Sequence, residues 1–228
     1  MSQTFYPHTH LKGVVSKVVP MAPREQGEIM RGLTRRVTGF FSSRKNAEAL
    51  PWRNRHEHNL FRLLEVDPSV VSFEALPERI TFLDGSKERH HVPAARIRTR
   101  RGEAVVDAFA GCDTDGARRL ISAVEAVYAD RGVPYRAFSG RELRVLPRMA
   151  NARHILAHRC LEVTPATELA ITAVVADREG LTLAELASEV AGADGFACAM
   201  AVDGVLALDL SAEEPKAMRV SLAQGALA

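Results

Sequence analysis

The chain lacks the long apolar run that a membrane span requires. No stretch of about 18 uninterrupted apolar residues occurs among its 228 residues. The first twenty residues include His8, His10, Lys12 and Lys17, so they contain no apolar segment of the kind found in secretory signals. We therefore expect a cytoplasmic protein with no membrane partner.

Cysteine is also scarce, with three residues at Cys112, Cys160 and Cys198. An odd number without CxxC or Cys/His ligand spacing argues against a disulfide framework and against structural zinc. His154 and His158 have the four-residue separation that can bind metal on a helix, but the sequence indicates no third ligand. We predict no metal site, and interpret these histidines as surface or packing residues.

Charge is abundant and unevenly distributed, although the net charge is only +2. Residues 1–159 carry 27 Lys and Arg against 17 Asp and Glu, a balance of +10. Residues 160–228 carry 3 against 11, a balance of −8. Arginine can form forked hydrogen bonds with phosphate, so the first part is suited to nucleic acid, whereas the acidic part repels it. The two parts are therefore expected to contact different partners.

Clustering of the arginines favours double-stranded DNA as the partner of the basic part. Scattered arginines also solvate protein surfaces without binding anything, which is the competing interpretation. Trp52, beside one cluster, is compatible with stacking on a base and equally with a place in the core. The arginines that we assign to DNA are Arg35, Arg36, Arg53, Arg55, Arg96, Arg98, Arg100 and Arg101.

The order of predicted elements indicates an α/β protein. Residues 1–50 predict an irregular arm with one short helix near 24–32. Residues 51–160 combine helical spacing with alternating strand patterns, which predicts a mixed sheet flanked by helices and is compatible with a restriction-endonuclease-like domain. The predicted strands cover 70–73, 79–83, 90–92, 96–99, 104–109 and 135–138, and the predicted helices begin at Asn54 and cover 113–131.

Residues 161–228 predict a small winged helix-turn-helix domain, with three helices followed by a hairpin. Thr182 and Glu185 fit a capping box for the second helix, and Asp194 is the predicted cap of the third. The segment from Asp194 to Val202 contains no Arg, Lys, Asn or Gln that could contact bases or phosphates. With the acidic balance, this favours a protein partner for the domain.

Three stretches of the sequence carry a resemblance to a known family. They are Asn54-x-x-Glu57 with Leu64-Glu65-x-Asp67-Pro68-x-Val70 and Leu76-Pro77, then Pro93 after a basic hairpin, then Gly132-Val133-Pro134-Tyr135-Arg136-Ala137-Phe138 leading to Asn151. In their order and spacing they resemble the TnsA family, the endonuclease subunit of heteromeric transposases, and the resemblance covers nearly the whole chain. The resemblance implies a restriction-endonuclease-like domain followed by a winged-helix domain. It also implies transposase and AAA+ ATPase subunits as protein partners.

The resemblance places the nuclease chemistry on positions that are largely substituted. Glu57 matches the first metal-binding carboxylate and Asp107 the acidic residue of the third motif, but the second carboxylate is Ala94 and the lysine is Phe109. A methyl group cannot bind Mg²⁺, and a phenyl ring cannot stabilise an oxyanion. The loss of either group is expected to raise the activation barrier of DNA cleavage by on the order of several kcal/mol. The resemblance therefore predicts an inactive nuclease with no cofactor, and Mg²⁺ only if activity persists.

Other interpretations of the remaining side chains stay open. With Asn54 as the N-cap of the helix, Glu57 lies at the third helical position, where its carboxylate can reach back and cap the helix. Asp107 lies among apolar residues and is buried unless it points into a cleft. A metal-dependent endonuclease with a displaced site, using Glu57, Asp107 and Lys87, is the alternative function. A regulator that binds only protein is the third.

Overall fold

The computed structural model describes residues 17–32, 37–84 and 87–223. Arg35 and Arg36, which the sequence assigns to DNA, lie outside the described residues. The described part is a mixed α/β structure with seven α-helices and eleven short strands in four small sheets. None of its helices is long and apolar enough to span a membrane.

The largest sheet has four strands in the order β4-β7-β8-β9. Its first three strands are antiparallel neighbours, and β9 lies parallel to β8. A parallel neighbour requires a crossover connection, which α3 provides. The elements concerned are α2 (Arg55–Val66), β4 (Val70–Ala75), β7 (Ala95–Thr99), β8 (Gly102–Phe109), α3 (Asp115–Asp130) and β9 (Tyr135–Ser139). These bounds confirm the helices and strands predicted in this region to within a few residues.

The N-terminal segment is more regular than the sequence predicts. The short helix near 24–32 is confirmed as α1 (Pro23–Gly32), but β1 (Lys17–Pro20) pairs antiparallel with β5 (Glu78–Asp84). The β5–β6 hairpin, with β6 at Lys87–His91, leaves one edge of β5 free for hydrogen bonds, and β1 occupies that edge. Two further short strands, β2 (Gly39–Phe41) and β3 (Leu50–Trp52), pair with each other. The prediction of an irregular arm is therefore wrong for these segments.

After β9 the chain forms a 3-10 turn at Glu142–Arg144 and four helices. The predicted capping box of Thr182 and Glu185 is present. Asp194, however, is not the cap of the last helix, because that helix begins one residue earlier and its cap is Gly192, which adopts a left-handed φ of 73°. The remaining elements are α4 (Arg148–Ala157), α5 (Pro165–Asp177), α6 (Leu183–Glu189), α7 (Ala193–Val202), β10 (Leu206–Leu208) and β11 (Val220–Leu222).

One large apolar core runs through both parts of the chain. It includes Phe61 of α2, Phe73 of β4, Ile155 of α4 and Met200 of α7, all buried. A second cluster joins β5 and β8 to α3, where Tyr128 is fully buried. Because α4 packs against both α2 and α7, it positions the C-terminal helices against the rest of the molecule.

Candidate nucleic-acid interface

Glu57 has a structural role at the start of α2. The Asn54 side chain caps the helix by accepting hydrogen bonds from the amides of His56 and Glu57 at 2.9 and 3.1 Å. The Glu57 carboxylate is 1% exposed and accepts from the Arg53 amide at 2.6 Å and from Arg53 Nε at 2.8 Å. Both carboxylate oxygens therefore accept hydrogen bonds from Arg53. In a capping box the glutamate would instead accept from the amide of the N-cap residue, Asn54.

Asp107 is buried in β8 with three hydrogen-bond partners. Its Oδ1 accepts from the Ala94 amide at 3.1 Å, and its Oδ2 lies 2.5 Å from His91 Nε2 and accepts from the Tyr135 hydroxyl at 3.1 Å. Burial and the adjacent carboxylate raise the pKa of Tyr135, so its hydroxyl remains a donor. Satisfied hydrogen bonds therefore explain how Asp107 is accommodated among apolar neighbours.

Ala94 and Phe109, at which the resemblance predicts substituted nuclease residues, belong to the same packed region. Ala94 is fully buried. Phe109 stacks on the imidazole of His91, with ring centroids 6.0 Å apart and planes inclined by 11°. Lys87 is exposed and lies four residues from His91 along β6, about 13 Å at the usual rise of a strand. Lys87 is therefore not beside Asp107.

A basic cleft of about 370 Å³ lies beside α2. Arg55 and Arg62 reach it from α2, Arg144 from the 3-10 turn and Arg153 from α4. Positions 55 and 62 share a helix face because they are separated by two turns. The described residues that line the cleft include no carboxylate, and they are Val37, Trp52, Arg55, His56, His58, Asn59, Arg62, Arg144 and Arg153.

The charges around this cleft repel one another. Burial, with the nearby positive charges of Arg153 and Arg159, lowers the pKa of Arg62. Burial, with Arg62 and Arg153, lowers the pKa of His58 to about 4, so this imidazole is neutral near pH 7. Asn59 Oδ1 accepts a hydrogen bond from Arg62 Nη1 at 3.0 Å, but supplies no negative charge. An anion in the cleft would relieve this repulsion.

Trp52 belongs to the wall of the cleft and to the core. It is 8% exposed, and its indole stacks on the His58 ring with centroids 4.6 Å apart and planes inclined by 3°. One face of the indole is therefore occupied within the protein. Of the two roles that the sequence allows, the structure places Trp52 in packing.

The other predicted DNA-binding arginines fall into two groups. Arg53 is held by Glu57, and Arg96 by Glu78 at 2.8 Å and Glu103 at 3.2 Å. Burial lowers the pKa of Arg96, but the two carboxylates raise it by more, so the net effect is a raised pKa. The charge of Arg96 is therefore compensated within the protein. The second group has exposed side chains and consists of Arg98 near the end of β7 and of Arg100 and Arg101 in the turn between β7 and β8.

Sequence reasoning identified one of the four cleft arginines, Arg55, and missed the others. Arg62 had a local signal, because it lies seven residues after Arg55 on a predicted helix. Arg144 and Arg153 had none, since only the packing of the 3-10 turn and of α4 against α2 brings them to the cleft. The cleft is therefore a product of tertiary structure.

The helix α7 is largely inaccessible. Eight of its ten residues are buried, and it packs against α4 and α6. A helix that reads DNA needs an exposed face carrying polar side chains. This arrangement agrees with the absence of DNA-contacting residue types in the sequence of α7.

No protein-family model matches the chain, and no curated protein matches its sequence. The similarity to the TnsA family therefore rests on the motifs in the sequence alone.

Proposed function

We propose that this protein binds double-stranded DNA through the basic cleft, as a TnsA-like protein without nuclease activity. The observation that carries the proposal is the convergence of Arg55, Arg62, Arg144 and Arg153 on one cleft, without a carboxylate among the described residues that line it. Arg62 is half-buried, whereas Arg55, Arg144 and Arg153 are exposed. A half-buried charge among like charges is costly unless an opposite charge compensates it. Phosphate is the anion whose geometry best fits the guanidinium group.

The exposed arginines of the β7–β8 turn support a macromolecular polyanion over a small one. Arg98, Arg100 and Arg101 lie on elements that do not line the cleft. A duplex presents a continuous series of phosphates and can contact several basic groups at once. A small phosphorylated ligand would occupy the cleft alone.

The order of elements supports the TnsA-like part of the proposal. The sequence α2, β4, β7, β8, α3, β9 is compatible with a restriction-endonuclease-like domain, with the β5–β6 hairpin inserted after β4. The helices α5, α6 and α7 with the β10–β11 hairpin are compatible with a winged helix.

Loss of nuclease activity is supported by the contacts of the two remaining carboxylates. The oxygens of Glu57 are occupied by Arg53, and those of Asp107 by Ala94, His91 and Tyr135. A metal would have to displace these donors before it could bind. No cofactor is therefore part of the proposal.

The competing hypothesis is an Mg²⁺-dependent endonuclease with a displaced site formed by Glu57, Asp107 and Lys87. It has less support, because Lys87 lies far along β6 from the Asp107 network. Incubation of supercoiled plasmid with Mg²⁺ or Mn²⁺ separates the hypotheses. Nicking above that of a Glu57→Ala control would establish the endonuclease, and equal background would support the DNA-binding proposal.

For the acidic C-terminal part we propose a protein partner, such as the transposase or AAA+ ATPase subunits that the resemblance implies. The burial of α7 supports a protein partner over DNA for this part of the chain. On α5, Leu169 is 71% exposed beside the exposed Glu168, a combination suited to a protein surface. Co-purification of such a subunit with the protein, and its loss in a Leu169→Asp variant, would test this part.

Duplex binding measured across a salt series tests the main proposal. If the four cleft arginines each contact one phosphate, the logarithm of the association constant falls against the logarithm of salt concentration with a slope of about −3.6 or steeper. Affinity that is absent, or that does not change with salt, would overturn the proposal.

A further inference from the structure

Two histidines of α4 and one cysteine of α7 converge at the junction of these helices. The potential ligand atoms of His154, His158 and Cys198 all lie within 4.8 Å of one another. Among the described residues, no other three His, Cys, Asp or Glu side chains meet in this way. The proximity of three metal-ligand side chains at this junction is independent of the basic cleft.

The helices explain why the three groups meet. His154 and His158 are four residues apart, and their rings are tilted by 58° with centroids 4.9 Å apart. Cys198 is fully buried and the two histidines are half-buried. The thiol therefore lies at the buried end of the cluster, and the imidazoles lie closer to the solvent.

The orientation of His158 favours coordination through Nε2. Its Nδ1 lies 3.0 Å from the carbonyl oxygen of His154 and donates to it, which leaves the lone pair on Nε2. A backbone or carboxylate acceptor on the other nitrogen is the usual support for a metal-binding histidine. This hydrogen bond thus holds the His158 ring in one orientation, in the tautomer whose Nε2 can bind a metal.

Gly195 provides the space for this ring against α7. A Cβ at position 195 would lie 3.2 Å from Cδ2 of His158 and 2.9 Å from a methyl group of Leu161. Gly195 precedes Cys198 by three residues, so both lie on the same face of α7. The face that accommodates His158 is therefore the face that carries the thiol.

We propose that His154, His158 and Cys198 bind one Zn²⁺ ion, with water at the fourth position. Two imidazole nitrogens and one sulfur form a ligand set that zinc prefers in tetrahedral geometry. On binding, the S–H bond of Cys198 breaks, the thiolate bonds to zinc and the proton passes to solvent.

The ion would connect α4 to α7. These helices belong to the parts of the chain before and after residue 160, which the sequence assigns to different domains. A bond from each helix to one ion would lock the C-terminal helices against α4. Metal binding would therefore raise the stability of the junction between α4 and α7.

Cobalt substitution tests the ligand set directly. Tag-free protein, kept reduced, is stripped with chelator and titrated with Co²⁺, and its zinc content as purified is measured by mass spectrometry. The expected result is one equivalent of metal, a sulfur-to-cobalt charge-transfer band and the visible bands of tetrahedral cobalt. Cys198→Ala should remove the charge-transfer band, whereas the matched control Cys160→Ser, an exposed cysteine, should keep it.

A second variant keeps the test decisive if Cys198→Ala fails to fold. His154→Asn alters a half-buried side chain, so the fold should be retained, as circular dichroism would verify. Zinc should raise the melting temperature of the wild-type protein and not that of His154→Asn. A wild-type protein without a sulfur-to-cobalt band, or a variant that binds metal as the wild type does, would overturn the proposal.

Discussion

The imidazole Nε2 of His91 lies 2.5 Å from Oδ2 of Asp107, inside the protein. Asp107 is the residue that the TnsA resemblance aligns with the acidic position of the third nuclease motif. Its other oxygen accepts from the Ala94 amide, at the position of a second expected carboxylate. Contacts within the protein thus occupy the atoms that a metal would use.

The first prediction concerns the structural role of Asp107. Asp107→Ala leaves His91, Tyr135 and the Ala94 amide without their acceptor, and should lower the free energy of unfolding by about 2 to 4 kcal/mol. Asp107→Asn keeps an acceptor for the Ala94 amide and should lower the free energy of unfolding by less. Urea denaturation measures both, with duplex affinity as the control. An Asp107→Ala variant as stable as the wild type would contradict this role.

The second prediction concerns the buried position 94. Ala94→Asp introduces a carboxylate beside Asp107, where there is no exposed surface, and should lower the free energy of unfolding by about 3 kcal/mol or more. Ala94→Ser is the matched control, because it adds a polar atom without charge. Thermal denaturation without metal compares the two. If Ala94→Asp melts at the temperature of the serine variant, position 94 is open to solvent. The described packing of Ala94 against Asp107 would then be wrong.

The third prediction concerns pH. Because the pKa of His58 is lowered to about 4 in the folded protein, the unfolded chain takes up this proton first as the pH falls below 6.5. The contribution of His58 to stability should therefore be complete above pH 6.5 and decline toward pH 4. NMR titration of the imidazole should give a midpoint near 4, and bound DNA should raise it. A midpoint near 6.5 in the free protein would show that His58 is not buried beside Arg62 and Arg153 as described.

Local features were predictable from the sequence because neighbouring residues determine them. Asn54 was predicted to cap α2 and does so, and the Thr182–Glu185 capping box is present. Strand alternation and helical spacing likewise predicted the elements of the main sheet. Each of these signals is contained within a few residues.

Long-range pairing was not predictable in the same way. One of the two partners of Arg96 is Glu78, which lies eighteen positions earlier, and only the fold brings them together. The pairing of β1 with β5 is equally distant in sequence. Cys198 lies forty positions after His158, so the sequence indicated no third ligand for the histidines. These contacts depend on tertiary packing, which composition and spacing do not encode directly.

Duplex affinity of a cleft double variant tests the central claim most directly. Arg62→Ala with Arg153→Ala removes two charges from the cleft, and Arg119→Ala with Arg131→Ala removes two exposed charges elsewhere, so net charge is matched. The cleft pair should weaken binding by at least about tenfold and reduce the magnitude of the salt slope by about 1.8, whereas the control pair should change little. Equal effects of the two pairs, or no effect of the cleft pair, would contradict DNA binding in the cleft.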